Sequence, residues 1–329
     1  MLSISSIPQG KKIQPAVKTM VFQLPINDSS TIDLSQCASL LNRRFYRQGL
    51  NWAVAGFTFY TQGNGTINIQ KIPDTWVASN AWMKGFATWQ KMNNAALEEA
   101  ESVRPKFLDF KVFMDSIHHT AGSAANQLPV DGAGVVAGAG EWDYSSYLIP
   151  DSSNPGAAQD REIIWTGANY PGNGASGLNA VSLIEGYAAS RGLPDILDPN
   201  TPDDAADIDG STPENWMSGL FNEGTTQDSS IIGDMIDENN QAPYPFENDG
   251  TATDTQYPGG ANQAPGPQAH MVALVSPTTV GGRTNIEGGN FQGGLVKVTN
   301  NTGDLAMTMF IHLVPGHHRG YMCQPMQDV

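Results

Sequence analysis

The chain has 329 residues, 40% of them hydrophobic and only 15% charged, which is enough for one large β domain or two small ones. No run approaches the ~20 unbroken apolar residues of a membrane-spanning helix, so a transmembrane segment is excluded at the sequence level. Seventeen Lys and Arg against 33 Asp and Glu leave a net charge of −16, which excludes a protein coated uniformly by nucleic acid.

In chain order, MLSISSIPQ (Met1 to Gln9) lacks a basic start followed by an apolar run, so no secretory signal is read there. Lys18 to Leu24, ended by Pro25, reads as a strand. The next segment predicts a short helix capped by Ser30 or Asp33 and running through Cys37, Leu40 and Leu41 to Phe45. Trp52 to Tyr60 and Thr66 to Ile72 are two strands flanking the turn Gln62-Gly63-Asn64-Gly65, the clearest hairpin pattern in the chain. In the second of these strands Ile67, Ile69 and Lys71 share one face.

From Ser79 to Val103 there is no proline, and Trp82, Phe86 and Trp89 recur at helical spacing. This predicts an amphipathic helix whose aromatic stripe is core rather than a base-stacking platform. Phe107 to Ile117 returns to alternation and reads as a strand, and residues 120–140 are an Ala- and Gly-rich loop. Strands are predicted around Tyr144–Ile149 and Ile163–Trp165, then helices over Leu178–Arg191 and Ser229–Glu238, with Pro-rich acidic loops around the second. Three strands close the chain: His270–Ser276, Gly294–Asn300 and Leu305–Val314, the last two joined by a hairpin turn at Asn301-Thr302-Gly303-Asp304. Short strands at both ends, with helices and long loops between them and no βαβ rhythm, predict an all-β chain with inserted helices. An antiparallel β-sandwich of jelly-roll type fits this pattern.

Charge divides along the chain. Residues 1–50 carry Lys11, Lys12, Lys18, Arg43, Arg44 and Arg47 against Asp28 and Asp33, whereas residues 121–270 have only Arg161 and Arg191 as cations amid a dense acidic background. Two electrostatically different surfaces follow. Arg43-Arg44-Phe45-Tyr46-Arg47 interleaves cations with aromatics, the residue types that hold a phosphate backbone and stack on unpaired bases, although a solvated strand edge has the same composition.

Catalytic and metal signatures are missing. Gly174-Ala175-Ser176-Gly177 has the wrong register for a nucleophile elbow, and no phosphate-binding glycine loop opens a helix. Among the six histidines, His118-His119 read as strand neighbours on opposite faces, and His312, His317 and His318 lack a ligand pattern. Asp203 to Gly210 resembles part of a calcium loop, but placing Gly210 at the glycine position puts Ala205 and Trp216 where ligands are required. No cofactor is expected; a looser divalent-cation site shared between subunits is the remaining metal reading. Cys37 and Cys323 lie too far apart in sequence to form a disulfide framework and read as reduced thiols inside a cell.

Asn51–Tyr60, Ile72-Pro73-Asp74-Thr75-Trp76-Val77, Asn80-Ala81-Trp82 with Gly85-Phe86 and Trp89, Ser182-Leu183-Ile184-Glu185-Gly186-Tyr187-Ala188 and Asp198-Pro199-Asn200 together carry a likeness. Over roughly residues 45–240 the chain resembles capsid proteins of small circular single-stranded DNA viruses. The resemblance implies a non-enzymatic jelly-roll subunit that associates with copies of itself into an icosahedral shell around the genome. Such a subunit is assembled inside the host cell and resides in the virion. It also implies a basic segment over 1–50 with the first strand, contacting viral DNA through Lys11, Lys12, Lys18, Arg43, Arg44 and Arg47. Residues 51–329 then form the jelly roll, with acidic insertions at about 121–270 facing outward.

Capsid proteins of that group begin with a long Arg-rich arm, whereas the first residues here hold only Lys11, Lys12 and Lys18. That difference also fits a shell separated from its genome, for which a double jelly roll is the alternative to a single one. No residue pattern points to a particular host receptor. A carbohydrate-binding β-sandwich with Trp142, Tyr144, Tyr147 and Trp165 as its stacking surface is the reading from another class, and a β-sandwich hydrolase with paired carboxylates a third.

Overall fold

A computed structural model describes residues 14–98, 109–150, 158–169, 179–191, 266–302 and 307–329. The strands and helices in chain order are β1 (Thr19–Leu24), β2 (Asp28–Asp33), α1 (Leu34–Asn42), β3 (Leu50–Tyr60), β4 (Gly65–Lys71) and α2 (Trp76–Glu98). There follow α3 (Ser116–Ala121), β5 (Ser146–Pro150), β6 (Ala158–Ile164), β7 (Ala180–Ser182) and α4 (Leu183–Arg191). The last stretch holds β8 (Gln268–Val275), β9 (Arg283–Phe291), β10 (Leu295–Asn301), β11 (Met307–Leu313), β12 (Pro315–Gly316), β13 (Gly320–Tyr321) and β14 (Cys323–Pro325).

Alternation along the strands dictates how they pack. Met20, Phe22 and Leu24 of β1, Phe57 and Phe59 of β3 and Met307, Met309 and Ile311 of β11 all point one way and are buried. They meet Ile32 of β2, Ile67 and Ile69 of β4 and Val296 and Val298 of β10 in one core. The molecule is therefore an antiparallel β-sandwich with added helices. One sheet runs β1-β11-β3, with β9 and β14 also pairing with β3, and the other runs β2-β10-β4-β8. Every pairing within both sheets is antiparallel.

Two expected hairpins are corrected by this arrangement. Strands β3 and β4 alternate as expected, but they lie in opposite sheets, as do β10 and β11. Period-2 alternation says which side of a strand faces apolar surroundings, and a sandwich core accepts the same pattern from either sheet. The turn glycines serve a close crossing instead: a Cβ on Gly65 would lie 2.2 Å from the Asn301 carbonyl oxygen and 2.5 Å from the Thr302 Cα, where the two sheet-to-sheet connections touch. Lys71 does face inward, as the alternation predicts, with Asp74 as ion-pair partner and the Phe291 ring 5.9 Å from its Nζ.

Between β4 and β8 lies a second layer with its own core. Helix α2 begins three residues before the expected start, runs through the described residues to Glu98, and presents Trp82, Phe86 and Trp89 inward, against Phe110, Trp165, Leu183 and Ile184. A three-stranded sheet, β5-β6-β7, is antiparallel at its first pairing and parallel at its second. The expected strand over Phe107 to Ile117 is replaced within its described part by a single bridge, Phe113 to Ile164, and by α3, because Asp115 caps a helix by accepting a bond from the His118 amide at 2.9 Å. The expected helix at Ser229–Glu238, the calcium-like loop at Asp203–Gly210 and the glycine run at 174–177 lie outside the described residues.

The two layers are held together by buried polar side chains. Asp33, fully buried, caps α1 by accepting from the Ser35 and Gln36 amides at 2.9 and 3.2 Å. Its second oxygen accepts from Gln48 Nε2 at 2.9 Å and Trp142 Nε1 at 3.0 Å. Gln48 also exchanges two bonds with the Val112 backbone, and Lys297 of β10 donates to Asp115 at 2.5 Å. His118 accepts from the Met114 amide through Nδ1, so Nε2 carries its proton and donates to Asn126 at 2.7 Å.

Burial pushes the Asp33 carboxyl up to about 6. Exchange for Asn places N–H groups against the Gln48 and Trp142 donors, so Asp33→Asn should cost ~2–3 kcal/mol at pH 7.5, read as a lower urea midpoint. Asp109 is also raised by burial, to about 7, and its Oδ2 has no hydrogen-bond partner among the described residues. The folded chain then holds this proton more tightly than the unfolded chain, so the group's contribution is full below pH ~4 and lost as the pH rises through 7. Asp109→Asn should accordingly raise the urea midpoint at pH 8 and leave it nearly unchanged at pH 4.

Candidate nucleic-acid interface

Helix α1 ends at Arg43, whose positive φ of 51° closes the helix in a left-handed conformation. The chain that follows turns around Tyr46. Its ring is buried against Trp52 and Tyr321, and its hydroxyl donates to the Arg319 carbonyl at 3.0 Å. Tyr46 is therefore an anchor in the core, and Phe45 leans on Trp142 with ring centroids 6.5 Å apart. The aromatics of this run hold the loop in place, while Arg43, Arg44 and Arg47 are left exposed.

A second segment joins them. Strands β12 and β13 form a tight hairpin carrying His317, His318 and Arg319, and Arg319 donates to the Phe45 carbonyl. The segment leading into β1 lies beside both: Arg44 donates to Gln14 at 2.5 Å, and the Val17 amide donates to Asn42 at 3.0 Å. Lys18 is half-buried, its ammonium 3.5 Å from the Ala16 carbonyl oxygen. Four of the six expected site residues, Lys18, Arg43, Arg44 and Arg47, thus gather at one end of the sandwich, with Arg319 as a fifth cation. Lys11 and Lys12 lie outside the described residues. No ion pair between described residues draws on this cluster. Burial, with Arg319 and Arg44 beside it, pushes His318 below the usual imidazole value, so it adds no charge at neutral pH.

Arg319 is separated from Phe45 by 274 positions, and no local pattern links the two. Its only signal is its place in the polar run His317-His318-Arg319-Gly320, which draws notice for its imidazoles rather than its cation. Arg47 lies beside Asp109 and, with Lys111, eases the burial that raises that carboxyl.

The other candidates fall elsewhere. His118 and His119 sit on α3, not on a strand, and are paired with Asn126 and Glu162; His312 is held between the Thr19 and Thr58 hydroxyls at 3.2 and 3.1 Å. Among the described residues no group of three or more His, Cys, Asp or Glu is placed to hold a metal ion. Cys37 and Cys323 are free thiols, and burial raises both above the usual thiol range. Of the aromatics that a carbohydrate surface would need, Trp142, Tyr147 and Trp165 are buried, and Tyr144 is stacked on Phe113 at 3.9 Å. No helix among the described residues is long and apolar enough to cross a membrane.

Compared with known proteins, the chain matches no family model, no curated protein sequence and no solved structure.

The cluster depends on one backbone position. Gly320 has a φ of 105°, and a Cβ there would lie 2.6 Å from the Ala16 Cβ and 2.8 Å from the Gln14 carbonyl oxygen. Gly320→Ala should therefore lower the thermal midpoint by several degrees, the cost of ~1–3 kcal/mol of backbone strain and displaced chain.

Proposed function

We propose that the protein is a capsid subunit that self-assembles into an icosahedral shell enclosing a single-stranded DNA genome, a structural rather than a catalytic role. The observation that carries this reading is the strand order. Eight strands in chain sequence, β1 to β4 and β8 to β11, form one sheet ordered β1-β11-β3-β9 and another ordered β2-β10-β4-β8. Neighbours in sequence alternate between the sheets except at β4 and β8, which is the interleaving of two Greek keys in a jelly roll. This order of eight strands supports the single jelly roll over the double one. The three-stranded sheet with α2 and α4 belongs to the β4–β8 connection, a corner that in such a sandwich runs over the surface and accepts insertions.

Charge supports the same reading. The basic end around Lys18, Arg43, Arg44, Arg47 and Arg319 suits a surface turned to packaged DNA, with Lys11 and Lys12 preceding it in the chain. The acidic β4–β8 connection suits the outside of the particle. A divalent cation between subunits is compatible with this arrangement, although no described cluster holds one.

Sedimentation of the purified chain, with negative-stain microscopy of any fast fraction, tests the proposal. Uniform closed particles carrying nuclease-protected DNA are expected, and changing Arg43, Arg44, Arg47 and Arg319 together to Gln should lower the protected DNA. A stable monomer near 35.2 kDa at high concentration, unchanged by single-stranded DNA or divalent ions, overturns it.

A further inference from the structure

The two outer faces of the sandwich differ. On the second sheet, Thr31 and Lys297 are buried beneath the inserted layer, through the Gln127 amide on the Thr31 carbonyl and Lys297 on Asp115. On the first sheet, outward side chains form an open grid whose rows follow from the strand register. One row reads Gln23, Thr308, Tyr60 and Arg283 across β1, β11, β3 and β9, and the next reads Val21, Phe310, Thr58 and Asn285.

Two rings occupy the middle of this grid. Tyr60 is 41% exposed and meets Phe310 edge-on, with centroids 5.5 Å apart. Phe310 in turn lies nearly parallel to the His312 ring, at 13°, and that imidazole is fixed on both nitrogens by Thr19 and Thr58. The result is a row of π surfaces held by neighbouring strands and ringed by hydroxyl and amide groups. Arg283 stands exposed at one end of the sheet; at the other end of β1 Lys18 is half-buried and falls on the inward-facing register with Met20, so the grid itself carries Arg283 as its cation. In a chain of net charge −16, this face carries Glu287 as the single acid at the grid positions and the exposed cation Arg283 beside Tyr60, so a polyanion meets little repulsion there.

We propose that the outer face of this sheet is a binding platform for single-stranded DNA, on which bases stack on Tyr60 and Phe310 while Arg283 holds a phosphate. The ligand follows from the chemistry. Aromatic rings on an open sheet accept the faces of unpaired bases whatever their sequence, and each stacked base is sequence-tolerant binding energy that a duplex cannot supply. This assignment rests on the reading of the chain as a shell around a single-stranded DNA genome, and it places the genome-facing side of the subunit on the first sheet.

Fluorescence anisotropy of the full chain with a labelled oligothymidine of about twenty nucleotides, over a salt series, tests it. Tyr60→Ala combined with Phe310→Ala should weaken binding about tenfold or more at each salt concentration with the salt slope unchanged, and Tyr60→Trp should retain the affinity. Arg283→Gln should instead reduce the slope by about 0.7. Wild-type affinity in the double alanine variant, or a duplex of equal length bound as tightly as the single strand, overturns the platform. So does a variant whose defect is confined to glycan binding. Particle assembly, scored separately, keeps the two readings apart: normal shells with unchanged DNA affinity in the alanine variant overturn the platform alone. Stacking-dependent DNA binding by a chain that never assembles overturns the shell and leaves the platform standing.

Discussion

A carboxylate removed from water must be surrounded by donors, and Asp33 is surrounded by four that come from three parts of the chain. It ends β2, starts α1, fixes the Gln48 side chain and fastens the Trp142 loop. Because Gln48 is at the same time bonded to the Val112 backbone, the sandwich and the inserted layer share one polar joint, and neither side can shift without stranding a buried donor. The Lys297–Asp115 pair repeats the principle from the neighbouring strand of the same sheet, where a strand lysine that alternation alone would send to solvent is turned under the insertion. The apolar cores supply bulk driving force, but these directional contacts fix how one layer sits on the other.

Most of the sandwich strands are legible from local alternation, and the α1 cap and the α2 aromatic stripe from helical spacing; β7 and β9 are not, and the expected strand at Phe107–Ile117 gives way to α3. What local pattern does not carry is partnership. Strands β3 and β4 look like a hairpin because their apolar residues alternate across a glycine turn, yet the turn crosses the sandwich, and only the approach of Gly65 to Asn301 reveals why. Strand β9 goes unread for a different reason: Gly288 and Gly289 interrupt any apolar alternation, and only pairing with β3 marks the segment as a strand. The basic cluster is half legible in the same way. Arg43, Arg44 and Arg47 form a run, whereas Arg319 arrives through a hairpin near the other terminus. Tyr46, the residue most suggestive of base stacking, is consumed by the core. Tyr60, Phe310 and Arg283 become one surface only through the register of β11, β3 and β9.

Placing the long insertion between β4 and β8 separates two demands on the chain. The eight sandwich strands keep a short-looped frame apart from α1 between β2 and β3, while the connection carries the mixed sheet, α2 to α4 and most of the acidic residues. Loop-closure cost rises only slowly with length, so so long a connection is tolerable provided that its own core offsets the order it imposes. Trp82, Trp165 and their neighbours supply that core.

The pairing of β1 with β11 joins Thr19 to His312, so β1 must wait for a strand synthesised nearly three hundred residues later. At ~5–20 residues per second, translation leaves Phe22 and its apolar neighbours without their partner strand for roughly 15–60 s. Strand β4 waits in the same way for β8. The inserted layer, whose core residues are closer together in the sequence, is synthesised during that interval and can order first. Synthesis from the N-terminus thus leaves edges of the future sandwich unpaired until β8 to β11 are made, a period in which a holding chaperone on β1 to β4 would protect exposed apolar edges.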